Sequence, residues 1–504
     1  MTEEVKVDIV VIGAGFSGSL TALGLEQLGY DVALIEKDTH PRFAIGESST
    51  PVADLILRDL SDRYSLPWLR DISRYGCWQQ TYPNVTCGLK RGFSYFNHKK
   101  DQSFQSTPAH DNELLVAAST SNDQSDTNWF RYDVDSLFVE NVKKTSISYW
   151  DNTEIIEIER PNVEWHIKAR QFNKKCTFHC TWMIEASGSS DILQQLGISI
   201  GSKNFHTNTK AIFSHFSDVK PWQDWLLGNN TTIDDYPYNP DNSALHHLLD
   251  EGWLWMLRFN NGVTSAGLVF NCHKNPKLSD NANGSWSGII NQYPSLKEIF
   301  EDANILNPPG HLIQSKRLQR RAEKAAGPGW VALPHTIGFV DPLHSMGIAH
   351  SLSGVERILH SFEVEKDKPD NLDRRFQRYE HAVFKELDFM DLLVDGCYRS
   401  MDDFELFHIY LTLYFISAIT YEQKRIKGMF EIGDLFLSAD HPDINKLTVK
   451  TYRNLLTLLS KKTIHKEHIR SFRDAVEKEI EPFNTARLLH SEIPHMYFHT
   501  SAKF

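Results

Sequence analysis

The chain opens on a short β-branched and apolar run, Val7-Asp8-Ile9-Val10-Val11-Ile12, which predicts a buried parallel strand. A glycine-rich turn, Gly13-Ala14-Gly15-Phe16-Ser17-Gly18, follows at once. Ser17 to Leu28 then carries helical apolar spacing through Leu20, Leu23, Leu25 and Leu28, and Asp31 to Ile35 reads as a second strand ending at Glu36. Further on, Gly92–Phe96, Lys210–Phe216, Trp253–Phe259 and Thr264–Asn271 are strand-like and predict an antiparallel sheet inserted into the first unit. From about residue 370 the long amphipathic periods Arg374–Leu393, Asp403–Ala418, Val449–Ser460 and Lys466–Ile480 predict a helical region. The polar stretches Asn97–Asp111, Ser119–Asn128 and Gly228–Asn242 read as surface loops.

The first of these patterns is a βαβ unit with a dinucleotide fingerprint. Gly13 permits the tight turn, Gly15 lets a pyrophosphate approach the backbone, and Gly18 lets the helix pack on the strand. The pyrophosphate then meets unpaired N–H groups at the helix start, near Phe16 and Ser17. Glu36, with Lys37 beside it, stands where an acidic group takes the ribose hydroxyls.

Composition narrows the partners. The 504-residue chain is ordinary globular material, 41% hydrophobic and 23% charged. Its net charge of −12 argues against nucleic acid and against anionic membrane surfaces. The apolar stretch Ile409–Ile419 reads as a buried helix too short to span a bilayer. The 6 cysteines form no metal pattern and fit a reducing cytoplasm, so no metal is expected.

Other segments add chemistry. Met183-Ile184-Glu185-Ala186-Ser187-Gly188 is an apolar strand ending in a small-residue turn, and Arg131 with Asp135 forms a short arginine motif. In Gly338-Phe339-Val340-Asp341-Pro342-Leu343-His344-Ser345-Met346-Gly347-Ile348 a strand ends, Pro342 fixes a turn and Gly347 begins a helix, whose first N–H groups make an anion site.

With Gly46-Glu47-Ser48-Ser49-Thr50-Pro51, Gly252-Trp253-Leu254-Trp255 and Phe339 to Ile348 added to the fingerprint, the chain resembles the flavin-dependent halogenases from residue 7 to about 360. The resemblance implies an α/β fold: a Rossmann-type (GR2-like) FAD-binding domain with an inserted antiparallel β-sheet substrate region and a C-terminal α-helical region. The expected bounds are 1–60, 130–200 and 315–365 for a discontinuous FAD domain, 61–129 and 201–314 for the inserted sheet, and 366–504 for the helices. The cofactor residues it implies are Gly13, Gly15, Phe16, Ser17, Gly18, Glu36, Lys37, Glu47, Ser48, Ser49, Arg131, Gly188, Asp341, Gly347 and Ile348, with a chloride or bromide at Met346 and Gly347.

The resemblance also implies a reaction. A separate flavin reductase supplies reduced FAD, a flavin C4a-hydroperoxide oxidises halide to hypohalous acid, and a lysine directs this to a small electron-rich aromatic substrate, free or bound to a carrier or peptide. Lys90 occupies the corresponding place, before the strand ending at Asn97; its bland alternative is a solvated lysine at a strand end. Trp253 and Trp255 match the motif that keeps substrate from flavin, although they also read as a packed strand, and Leu257-Arg258 replaces the usual Ile-Pro. His344 stands where tryptophan-type members carry glutamate, a candidate base or a structural hydrogen-bonder, and Ser345 matches the family serine beside it. These departures leave open an alternative, a halogenase-fold monooxygenase, oxidase or reductase that does not halogenate. The C-terminal aromatics Phe404, Phe407, Tyr410, Tyr414 and Phe415 read as core or, alternatively, as a docking module.

Overall fold

A computed structural model describes residues 3–279, 281–368, 371–493 and 495–499. The predicted βαβ unit is present. Strand Ile9–Ile12 is fully buried and lies parallel between Trp182–Glu185 and Val32–Ile35, which is why all of them are apolar runs with no exposed face, except for the buried Glu185 that ends one of them. Trp330–Ala332 and Ser148–Trp150 extend this sheet on either side, and Ala326–Gly327 closes one edge antiparallel.

Two glycines of the fingerprint are dictated by space. Gly13 has φ +99°, and a Cβ there would lie 2.6 Å from the Ala186 carbonyl oxygen. At Gly18 a Cβ would meet the Gly13 carbonyl oxygen at 1.9 Å, so the helix Phe16–Gln27 sits on the turn only because that atom is missing.

The inserted sheet is largely antiparallel. Thr209–Ser217, Thr264–Asn271, Gly252–Arg258 and Ala244–Leu249 are consecutive neighbours, followed by Gly92–Asn97 and Glu113–Ala117. Two pairs depart from the expectation: Ala244–Leu249 runs parallel to Gly92–Asn97, and Met496–Tyr497 runs parallel to Glu113–Ala117. Strand Gly252–Arg258 divides two cores by its period-two alternation. Trp253, Trp255 and Leu257 join the main core shared with the dinucleotide unit, whereas Leu254 and Met256 join a second core around Trp222 and Trp225.

The helical region comprises Leu372–Ser400, Phe404–Ile426, Pro442–Leu459 and Lys466–Ile480. Helix Phe404–Ile426 is longer than the pattern predicted and by length and composition alone would cross a membrane, but 89% of its most apolar window is buried inside the protein. Its aromatics Phe404, Phe407, Tyr410, Tyr414 and Phe415 are all buried and pack in the main core. The stretch Ser119–Asn128 is not wholly a surface loop. Its end belongs to strand Asp126–Trp129, paired with Cys87–Lys90, and Ser125, Asp126, Thr127 and Asn128 are buried. Gly228–Asn242 likewise buries Tyr236, Tyr238 and Asp241.

Candidate active site

The carboxyl ends of the parallel strands open into a cavity of about 560 Å³, the size range of small-molecule and cofactor sites. Gly13, Gly15, Phe16 and Ser17 form one wall, with Gly46, Glu47 and Ser48 beside them. Gly188, Asp341, Ser345, Met346, Gly347 and Ile348 form another. Trp253, Trp255 and Leu257 enter from the inserted sheet.

A charged cluster frames the glycine turn. Glu36 accepts a hydrogen bond from Ala14 N at 2.8 Å, which fixes the turn, and Arg42 lies 3.5 Å from the same carboxylate oxygen. Arg131 holds Asp135 through two bonds of 2.8 Å, donates to the Ile45 and Gly46 carbonyls, and lies over the Phe16 ring. A Cβ at Gly15 would come 3.5 Å from Arg131 and 3.7 Å from Arg42, so two guanidinium groups face the bare backbone where a pyrophosphate is expected. Arg42 escaped the sequence reading because it lies in an irregular segment with no motif of its own. Lys37 is exposed at the strand end and does not line the cavity.

Opposite, helix Gly347–Val364 points its N-terminus at the cavity and has no acidic residue in its first turn. Ser345 adopts φ +53° to turn the chain into it. Asp341 is buried, and burial pushes its carboxyl up to about 7, against hydrogen bonds from Thr209, Leu343 N and Tyr398. Tyr398 in turn accepts from Trp253 Nε1 at 2.7 Å, which fixes the indole against the cavity. Trp255 is held by Ser265 and presses on Gly267, where a Cβ would meet its ring at 2.2 Å. Arg258, where the resemblance implies a proline, bonds Asp241 at 2.7 Å and the Val219 carbonyl at 2.8 Å, tying the strand to the start of helix Trp222–Gly228. Glu47 turns its side chain to His215, 2.8 Å away.

Lys90 is not a solvated lysine. It is 0% exposed at the end of strand Cys87–Lys90. Its Nζ donates to the Ser49 carbonyl, next to Ser48 of the cavity wall, and lies 4.2 Å from the centroid of the Phe93 ring on the other side. Burial pushes its ammonium down to about 8, although Asp126 and Asp54 oppose the shift. Burial pushes Asp126 up to about 6 and Asp54 well above the usual carboxylate range. Neither aspartate was singled out from sequence; Asp126 fell in a stretch that reads as polar loop, and Asp54 in an ordinary amphipathic helix.

His344 lies apart from the flavin cavity. Its ring is fully buried, stacked on Tyr414 with centroids 4.4 Å apart, and contacts Cys397 Sγ. Burial pushes it down to about 3, so it is neutral. Elsewhere, Glu164, His166 and His179 come together on a separate sheet, where His179 is paired with Glu4.

The family model for FAD-dependent oxidoreductases matches residues 8–119. The chain is 26% identical over 419 residues to monodechloroaminopyrrolnitrin halogenase PrnC of Pseudomonas fluorescens, spanning 82% of this chain and 71% of that protein. It is 24% identical over 430 residues to tetracycline 7-halogenase of Kitasatospora aureofaciens, spanning 83% and 74%. The crystal structure of halogenase PltM with phloroglucinol and FAD superposes with a TM-score of 0.84 at 21% identity, covering 97% of this chain and 99% of that one. Fold and matches together define an FAD-dependent oxidoreductase. Within that class the chain is similar to the flavin-dependent halogenases.

Proposed function

We propose that this enzyme is a two-component flavin-dependent halogenase in the cytoplasm, which takes reduced FAD from a separate reductase and halogenates a small electron-rich aromatic compound through Lys90. The observation that carries the reading is the position of Lys90, a wholly buried amine between the wall of the flavin cavity and the Phe93 ring.

The cavity fits FAD on the chemistry of its walls. Arg42 Nε and Ser48 Oγ are buried there without hydrogen-bond partners, and the glycine turn has no side chain in the way. Gly13, Gly15, Gly18 and the start of helix Phe16–Gln27 would hold the pyrophosphate with Arg42 and Arg131. Glu36 would take ribose hydroxyls, and Gly188, Asp341, Gly347 and Ile348 would bound the ring system. When bound and reduced, FAD supplies with oxygen the oxidising equivalent that turns chloride or bromide into hypohalous acid.

The protein's own groups do the rest. The N–H groups at Met346 and Gly347 favour a halide. Trp253 and Trp255 close the inserted-sheet side and keep substrate out. Lys90 Nζ, with its proton loosened by burial, takes the halogen from hypohalous acid, releasing water, and passes it to a ring carbon on the Phe93 side. No step is assigned to His344, whose ring is walled off by Tyr414 and Cys397.

The test is product mass. Reduced FAD, oxygen and bromide are supplied with a panel of phenols, indoles and pyrroles, and wild type is compared with Lys90→Ala. A bromine isotope doublet that disappears in Lys90→Ala supports the reading. Gain of oxygen or loss of hydrogen without bromine moves the enzyme to a monooxygenase or oxidase.

A further inference from the structure

A four-stranded sheet stands beside the dinucleotide unit. Its N-terminal strand Glu3–Lys6 runs parallel to Lys174–Cys180, and Trp165–Gln171 and Thr153–Glu159 follow antiparallel. Period-two alternation puts Trp165, Ile167, Ala169, Cys176, Phe178 and Cys180 in the main core. The opposite face is polar, and on it His166 and His179 are direct register partners. Glu164 precedes His166 by two residues and so shares that face.

The three side chains converge. Glu164 Oε2 lies 3.4 Å from His166 Nε2 and 3.6 Å from His179 Nδ1, and the three atoms lie within 4.8 Å of one another. A tetrahedral zinc ion with bonds of about 2.0–2.1 Å needs ligand atoms about 3.4 Å apart. Two edges of such a tetrahedron are already near that length, and small side-chain rotations close the third.

A second observation concerns the far nitrogen of His179, which lies 2.7 Å from Glu4 Oε2. A carboxylate only accepts, so Nε2 carries the proton there, and the tautomer this selects leaves Nδ1 a bare lone pair. That lone pair faces Glu164, another acceptor. Two acceptors turned toward each other need a proton or a cation between them. A carboxylate on the far nitrogen is also the arrangement that orients metal-bound imidazoles and raises their basicity. Nearby, Lys168 is engaged by Glu157 and Glu159, which leaves Glu4 and Glu164 to the histidines. Lys6, the register partner of His179, is exposed, and its long stem keeps the charge in water.

We propose that His166 Nε2, His179 Nδ1 and Glu164 bind one zinc ion, with water in the fourth position and Glu4 holding His179 from behind. Two imidazoles and a carboxylate suit zinc and its transition-metal neighbours, whereas magnesium and calcium take oxygen ligands. The ion braces the sheet: it ties Trp165–Gln171 to Lys174–Cys180 and, through Glu4, to the N-terminal strand. None of the three ligands lines the flavin cavity, so the role is structural and independent of the proposed halogenation. The histidines come from different strands, so no short spacing announces the site, and the expectation of no metal rested on the cysteines alone.

The test is metal binding. The full chain, loaded with FAD and free of any purification tag, is titrated with zinc by calorimetry and with cobalt(II), whose visible absorption reports tetrahedral coordination. Wild type should bind zinc saturably, and its melting temperature should rise with zinc concentration, because an ion that binds only the folded chain stabilises it. Glu4→Gln should weaken binding about 10–100-fold, the range for a partner that orients a ligand, and His166→Ala and His179→Ala should each weaken it by more. Without zinc, all three variants should melt close to wild type, since the substituted side chains lie on the solvent face. Magnesium and calcium should leave the melting temperature unchanged. Zinc affinity that is the same in either histidine variant, or no saturable zinc binding by wild type, overturns the assignment. A zinc-dependent rise in melting temperature that survives in the double variant His166→Ala/His179→Ala places the ion elsewhere and overturns it too.

Discussion

Lys90 and Asp126 are register partners on two short antiparallel strands, each buried and each carrying a titratable side chain. Asp54 approaches from helix Pro51–Arg63, and His246 faces Lys90 from strand Ala244–Leu249 as a neutral ring pushed down to about 3 by burial. Burial disfavours the ammonium more than the two aspartates favour it, so Lys90 is a free amine above about 8. If the free amine takes up halogen, bromination with reduced FAD in excess rises with pH through about 8. Asp126→Asn removes an anion that favours the ammonium, so its rise moves to lower pH. A rate that falls through that range would show the ammonium to be the working form.

The sequence carried the cofactor half of this arrangement far better than the substrate half. The strand, the glycine turn and Glu36 are read from spacing because backbone geometry forces glycine where a Cβ has no room, as at Gly13 and Gly18. Lys90 was found by its place between motifs, but its burial was not legible, since nothing local distinguishes it from a lysine at an open strand end. Asp126 and Thr127 are polar residues in a polar stretch, and they are buried only because Cys87–Lys90 pairs with them from a distance in the chain. Buried polar groups at functional sites are where local pattern and tertiary position disagree.

Arg131 carries a second prediction. Its guanidinium is oriented by Asp135 and by two backbone carbonyls, so it is preorganised for the anion expected over Gly15. Arg131→Ala should weaken FAD binding by at least about tenfold, or about 1.4 kcal/mol, and Arg42→Ala should also weaken it. Titration of the apoprotein with oxidised FAD, followed by flavin fluorescence, measures both. Unchanged affinity in the two variants would place the pyrophosphate elsewhere.

Tyr398 links Trp253 to Asp341, accepting at 2.7 Å from the indole and donating to the carboxyl. Tyr398→Phe leaves the buried indole N–H unpaired and removes a donor that steadies the Asp341 carboxylate. The expected cost is about 1–3 kcal/mol in urea unfolding. Its second consequence is chemical: Asp341, already pushed up to about 7, should take its proton at still higher pH. The carboxyl stretch in the infrared, followed against pH in Tyr398→Phe and Tyr398→Phe/Asp341→Asn, detects that shift, and no shift would mean the hydroxyl does not bear on the carboxylate.

His344 provides the sharpest contrast between position in sequence and position in space. It stands where the resemblance implies a glutamate in tryptophan-type members, yet its ring stacks on Tyr414 and touches Cys397, with burial holding it neutral at about 3. A group that gains no proton above that value contributes no activity limb near neutral pH. His344→Gln should therefore retain bromination, with a loss far smaller than the about 10²–10⁴-fold that removal of a general base brings. The rate at saturating substrate, measured beside the melting temperature, separates the cases. A loss of that size in a variant that melts with wild type would return His344 to the chemistry. Modest loss together with a lower melting temperature would fix it as packing behind Tyr414, and would leave the ring proton to a group on the Lys90 side.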